Sequence, residues 1–211
     1  MPEYRTVRAA LSGHWAAHLR QEEAAASRRV LSDPLRTGLG DTSMLALEDY
    51  RGTTGELALL RRRPAVRAAV VGCGPYPETL VALQTSGLAR RAVVGVDRHA
   101  ETVALATAMA DRFCAPEPHA RIVCEDAAAV DYSGYDLVVV ANGLVGKARL
   151  LDRIHRTAPI GVRVLMRSPI LMGRLFYEHV QPDLRPGWTV TGRYLGTPLS
   201  ETLLLERGEH A

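Results

Sequence analysis

Residues 64–81 read PAVRAAVVGCGPYPETLV, and the change of period inside this stretch decides the fold. Before it the chain is rich in helix formers, and it reaches Pro64 through the basic run Arg61-Arg62-Arg63, a solvated boundary. After Pro64, β-branched residues gather into short runs separated by Ala/Leu-rich stretches, the mark of strands alternating with helices. The first run ends in Val70-Val71-Gly72-Cys73-Gly74-Pro75-Tyr76-Pro77. Glycines at a strand exit let the backbone turn sharply and approach a ligand, at the end of the strand where open α/β sheets bind them. An ordinary tight strand-to-helix turn would use the same residues, so the loop needs support from elsewhere in the chain.

Working outward, AVVGVD (92–97), RIVCED (121–126), YDLVVVAN (135–142) and VRVLMRS (162–168) read as further strands. The stretches 77–88, 100–113, 146–157 and 171–180 read as helices between and after them. Strict alternation implies βαβ units and a parallel sheet covered on both faces. The last two strands, GWTVTGRYL (187–195) and SETLLLERG (200–208), have only Gly196-Thr197-Pro198 at the turn between them and form a closing hairpin on the sheet edge. Seven strands with such a hairpin predict a doubly wound, Rossmann-like α/β domain of the class I methyltransferase topology over residues 64–211. A dinucleotide-binding sheet would stay parallel throughout. Residues 1–63 carry two helical stretches, one up to about Leu31 and one from about Met44 to Leu60, separated by the turn and cap residues of SDPLRTGLGDTS; they are expected to form a small lid.

Composition removes several function classes. The 211 residues are 47% hydrophobic, enough for one core and a helical appendage but hardly for two full domains. Net charge is only +3, and Arg is spread along the whole chain, so no phosphate-binding stripe argues for nucleic acid. Lys147 is the single lysine among 26 basic residues. Cys73, Cys114 and Cys124 have no C-x-x-C spacing, which supports neither a zinc ribbon nor a disulfide scaffold. The charged N-terminus and the lack of a long apolar run predict a soluble, cytoplasmic protein that meets a small molecule and no membrane. Aromatics make up 5%, and seven Tyr outnumber two Phe and two Trp.

Successive strand ends supply the remaining chemistry. Asp97 ends the second strand 25 positions after Gly72, where a carboxylate accepts both hydroxyls of a ribose, with Arg98 beside it. The same Asp would also serve to cap the helix that starts near His99. Asp126-Ala127, after the third strand, suits the exocyclic amine and ring of an adenine, with Glu125 as the neighbouring competitor. Asn142, flanked by Gly143 and Gly146, ends the fourth strand at the centre of the row. A dinucleotide needs a pyrophosphate clamp at a free helix N-terminus, whereas prolines occupy two loop positions here and Glu78 would repel phosphate. S-adenosylmethionine, which carries an adenosine without a phosphate, fits Gly72, Gly74, Pro75, Asp97, Arg98, Asp126, Ala127 and Asn142 better.

Gly72-x-Gly74-Pro75-x-Pro77-x-Thr79, Asp97, the strand from Tyr135 to Ala141, Leu144-Val145-Gly146 and Met166-Arg167-Ser168…Gly173-Arg174…Phe176-Tyr177 together resemble the nicotianamine synthase-like group. The resemblance runs from about Val66 to Glu206. It implies a methyltransferase fold whose members, among them nicotianamine, opine-metallophore and azetidine-2-carboxylate synthases, attack the aminobutanoyl carbon of S-adenosylmethionine instead of its methyl.

A sulfonium makes all three of its carbons electrophilic, so the outcome depends on which carbon faces a nucleophile in line with its leaving bond. A chain this short favours cyclisation by the substrate's own α-amine, giving azetidine-2-carboxylate and methylthioadenosine. Aminobutanoyl transfer to an external amine and methyl transfer to a small molecule are the alternatives. Asn142 is expected to orient the amine through its side-chain oxygen, or else to cap the next helix. Tyr177 or Tyr76 would lie against the sulfonium as a cation–π partner, or Tyr177 would merely pack on a surface. Arg167 would pair with the methionine carboxylate, or simply with a neighbouring carboxylate. His14 and His18, a helical turn apart around Trp15, find no third ligand, and no metal is expected. Cys73 has no partnered base and is not expected to be a nucleophile.

Overall fold

The computed structural model describes residues 2–33, 53, 55–116, 119–175, 177–182, 185–197 and 200–208. Its strands are β1 (Ala65–Val71), β2 (Ala89–Asp97), β3 (His119–Cys124), β4 (Leu137–Val140), β5 (Arg163–Pro169), β6 (Trp188–Thr197) and β7 (Ser200–Arg207). They form one seven-stranded sheet in the order β3-β2-β1-β4-β5-β7-β6. The first five run parallel to one another, while β7 runs antiparallel to both β5 and β6. The terminal pair is the expected hairpin, with the refinement that β7 lies inside the sheet and β6 takes the edge.

The β-branched runs are buried on both faces, and their residues alternate as a pleated backbone requires. Ala68, Val70, Val93, Val139 and Leu165 face one side, under α1 (Pro2–Ser32), α2 (Glu78–Thr85) and α3 (Ala100–Phe113), which contribute Val30, Leu80, Leu83, Ala106 and Met109. Ala69, Val71, Val94, Val138, Val140 and Val164 face the other, against Leu150, Leu151 and Ile154 of α4 (Lys147–Thr157). The doubly wound α/β architecture anticipated from residues 64–81 is thereby realised.

Between β3 and β4, where no helix was expected, residues 125–136 contain none; Asp126 accepts the Ala128 N–H at 2.8 Å and opens a short turn. Two expectations are corrected. The stretch 171–180 is not an α-helix: after β5 there is only the 3-10 turn Leu171–Leu175. Leu171 sits there at φ 46°, a left-handed conformation from which an α-helix does not start. The third strand ends at Cys124, so Glu125 and Asp126 lie just beyond it.

At the N-terminus, the first helical stretch is a single 31-residue helix, α1. Most of the expected stretch from Met44 to Leu60 lies outside the described residues; of the rest, 53 and 55–57 are helical and Ala58–Leu60 form a 3-10 turn. Helix α1 is fastened to the sheet domain at its C-terminal end, where the Arg112 guanidinium donates to the carbonyls of Val30 (2.7 Å), Leu31 (3.2 Å) and Asp33. Free carbonyls at a helix C-terminus favour a cation, which is what Arg112 supplies. Among the described residues no helix is long and apolar enough to cross a membrane.

Candidate functional site

The loop leaving β1 is built around two glycines in the left-handed region, Gly72 at φ 70° and Gly74 at φ 68°. The Gly72 N–H donates to the Val96 carbonyl at 2.8 Å, which folds the loop back over the end of β2. A β-carbon at Gly72 would make only ordinary contact with Ala141 and Leu144, so it is the positive φ that calls for glycine there. Asp97 draws the same loop in: one carboxylate oxygen accepts the Gly74 N–H at 3.3 Å and the other accepts the His99 N–H at 3.0 Å. Asp97 therefore joins the glycine loop to the residue that precedes α3. Arg98 is exposed and its Nε lies 3.3 Å from His99 Nε2.

Helix α1 crosses this loop. The Ser27 hydroxyl donates to the Pro75 carbonyl at 2.6 Å. The Glu23 carboxylate reaches Gly74 so closely that a β-carbon there would lie 2.8 Å from its Oε2. Further along, Trp15 Nε1–H donates to the Tyr177 hydroxyl at 2.8 Å, which ties the helix to the segment after β5. Glu23 and Ser27 carry no motif that marks them in the sequence. Their helix is amphipathic only in part, and nothing in its spacing says which turn meets the loop.

The outer strand ends hold Asp126, exposed and turned into its own loop, and Ala127, whose carbonyl accepts the Tyr132 hydroxyl at 2.8 Å. Tyr76 is half buried and packs against the core beneath the glycine loop. Burial, helped by Asp97, pushes the Cys73 thiol far above its ordinary range and keeps it in its inert form.

Arg167 and Asn142 have partners other than those expected. Arg167 Nε lies 3.0 Å from both oxygens of Glu56, and its Nη2 also donates to Glu56, to Thr53 Oγ1 (3.1 Å) and to Thr79 Oγ1 (2.7 Å). Glu56 in turn accepts the Thr202 hydroxyl at 2.7 Å. The Glu56 side chain is 3% exposed and that of Arg167 25%. The neighbouring-carboxylate alternative thus describes the geometry, with the partner supplied by the N-terminal segment. The Asn142 oxygen, expected to orient an amine, accepts instead from Lys147 Nζ at 3.1 Å. Nor does Asn142 cap α4. Glu178 does so, its carboxylate accepting the N–H groups of Gly146 (2.5 Å), Lys147 (3.3 Å) and Ala148 (3.4 Å). The Lys147 ammonium is buried, which draws its pKa down to about 7, with Arg167 adding to the effect and Glu178 opposing it.

His14 is exposed, and His18 stacks at 5.9 Å on Trp15. Among the described residues no three His, Cys, Asp or Glu side chains gather as a metal site.

The strand order, the closing antiparallel hairpin and the glycine loop with an acidic residue ending the next strand define the class I methyltransferase fold. Structures of known proteins bear out that class. MtNAS, a nicotianamine synthase, in complex with MTA and tNA superposes with a TM-score of 0.81 at 19% identity, covering 96% of this chain and 76% of the other. A substituted form of the same enzyme in complex with S-adenosylmethionine gives 0.79 at 18% identity, over 96% and 78% of the two chains. The magnesium protoporphyrin IX methyltransferase of Synechocystis PCC 6803 gives 0.68 at 17% identity, over 96% and 100%. No family model and no curated sequence matches the chain.

Proposed function

We propose that the protein is an enzyme that consumes S-adenosylmethionine by closing its methionine chain into azetidine-2-carboxylate, with release of methylthioadenosine. In this reading adenine lies by Asp126-Ala127, ribose at Asp97 and the methionine chain over the Gly72–Gly74 loop towards Asn142, an arrangement supported by the strand order β3-β2-β1-β4. Solved neighbours of the same fold are complexes with S-adenosylmethionine and with MTA, which supports the choice of ligand.

The observation that carries the reading is the Glu23 carboxylate, laid against Gly74 by α1. In the cyclisation the α-amine first gives up a proton, at an ordinary pKa near about 8. Its lone pair then forms the N–C bond to the carbon next to sulfur. The C–S bond breaks, and its electron pair leaves with sulfur as the neutral thioether of methylthioadenosine. Positive charge moves from sulfur to nitrogen during this step, so a carboxylate fixed beside the nitrogen stabilises the transition state more than the ground state. Methyl transfer makes no such demand at the amine. Tyr76 or Tyr177 would supply an aromatic face to the sulfonium, a contact that contributes about 0.5 to 2 kcal/mol. Helix α1, held by Ser27 on the loop and Trp15 on Tyr177, acts as the lid that keeps water from the electrophilic carbon.

The test is incubation with S-adenosylmethionine alone, with mass-spectrometric identification of the nucleoside. Methylthioadenosine with an equivalent of the ring amino acid is the expected outcome. Methylthioadenosine formed only when an amine acceptor is added would point to aminobutanoyl transfer, and S-adenosylhomocysteine to methyl transfer; either would sink the cyclase.

A further inference from the structure

Lys147 stands apart from every other basic residue, being the chain's only lysine and 1% exposed. The proposed reaction gives it no task. Its Nζ donates to three acceptors, the Arg167 carbonyl at 2.9 Å, Asn142 Oδ1 at 3.1 Å and the Glu178 carbonyl at 3.3 Å. A compact tetrahedral ammonium carries three donors for those three acceptors, whereas the planar five-donor fork of arginine would leave N–H groups buried without partners. The lysine therefore joins three separate pieces of chain, namely the loop after β4, the end of β5 and the segment that caps α4.

The contact also fixes the direction of an amide. Lys147 Nζ faces Asn142 Oδ1, as its charged form requires because an ammonium has no lone pair, and the amide nitrogen occupies the opposite branch. Asn142 is partly exposed at the end of β4, and among the described residues its Nδ2 meets no acceptor. The side chain thus offers a donor at the strand ends.

We infer that Lys147 is a positioning residue: by occupying Asn142 Oδ1 it turns the amide so that Nδ2 donates to the carboxylate of an α-amino-acid group lying over the ends of β1 and β4. This rests on the reading of the site as one for S-adenosylmethionine, whose methionine end carries that carboxylate. It assigns to Asn142 the contact that Arg167, engaged by Glu56, is less free to make.

The test compares two ligands by calorimetry, S-adenosylhomocysteine, which has the carboxylate and does not react, and methylthioadenosine, which lacks it. In Lys147→Met the first should bind about tenfold more weakly, the loss expected for a misdirected donor to a charged group, while the second stays within about twofold of wild type. Asn142→Asp keeps an oxygen for Lys147 but replaces the donor with a negative charge, and should lose S-adenosylhomocysteine at least as strongly with methylthioadenosine spared. Equal losses of both ligands, or no loss of either, would overturn the inference and leave Lys147 a structural group. Should Lys147→Met fail to fold, Asn142→Asp decides alone, and unchanged S-adenosylhomocysteine binding there overturns it. Wild-type protein that binds neither ligand would overturn the reading of the site and this inference with it, a result distinct from selective failure in the variants.

Discussion

Glu56 and Arg167 form a pair whose worth can be measured apart from any activity. Replacing Glu56 with Leu removes the carboxylate that meets Arg167 Nε and Nη2, and strips the Thr202 hydroxyl of its acceptor. Thr53 and Thr79 remain as partners of the guanidinium, and with its side chain 25% exposed water reaches part of it. Breaking a buried ion pair costs about 3–5 kcal/mol, and this partial access places Glu56→Leu at the lower end, about 3 kcal/mol. Arg167→Met strands a carboxylate whose side chain is only 3% exposed, so it belongs at the upper end of that range. Replacing both leaves two apolar side chains and no uncompensated charge, which is often neutral to stability within about 1 kcal/mol.

The assay is thermal and urea unfolding of the two single variants and the double. For a chain of this length about 3 kcal/mol corresponds to a fall in Tm of about 6–12 °C. The double variant should recover most of it, giving a coupling energy of at least about 2 kcal/mol. Single variants that each lose less than about 1 kcal/mol and add without coupling would refute the reasoning. An Arg167→Met protein with unchanged Tm but a raised KM for S-adenosylmethionine would instead restore Arg167 as the partner of the substrate carboxylate.

Three further outcomes follow from the same geometry. Gly74→Ala forces a β-carbon against the Glu23 carboxylate and a non-glycine residue into φ 68°, so turnover of S-adenosylmethionine should drop at least tenfold while stability falls by only about 1–2 kcal/mol; wild-type turnover would remove Glu23 from the reaction. Tyr177→Phe takes the acceptor from Trp15 Nε1, at a cost of about 1 kcal/mol, and should speed hydrogen exchange in α1 several-fold without changing exchange in the β1–β4 core; uniform acceleration would mean that α1 does not open by itself. Lys147 binds its proton less tightly in the fold, at about 7, than the unfolded chain does. The unfolded chain then holds more protons than the fold between about 7 and 10.4, and stability rises with pH across that window, by about 2 kcal/mol from pH 7 to 9, relative to Lys147→Met. Urea midpoints with the same pH dependence in both proteins would contradict the depressed value.

How much of this was legible in the sequence depends on whether a residue's role is local or tertiary. The sheet was legible because burial on both faces leaves unbroken β-branched runs, and because a hairpin and a crossover need different lengths of chain. Gly72 and Gly74 were legible because positive φ restricts the residue type at the position itself. The helix expected over 171–180 failed because Leu/Met-rich composition says nothing of the left-handed turn at Leu171 that redirects the chain. Arg167 was expected to meet the methionine carboxylate or a neighbouring one, and the geometry shows the second, because a sequence cannot state which carboxylate arrives across a separation of 111 residues. Glu23 is hidden for the same reason, since it reaches Gly74 only through the docking of a whole helix. Lys147 is the instructive case between these. In a chain that uses arginine at every other basic position, the one exception was visible from the start as composition, and composition alone offered no cause. The cause is steric and electronic: three convergent acceptors in a buried space accept a small ammonium and reject a guanidinium. An outlier in residue usage thus marked a tertiary constraint, even though the neighbours that impose the constraint were not yet in view.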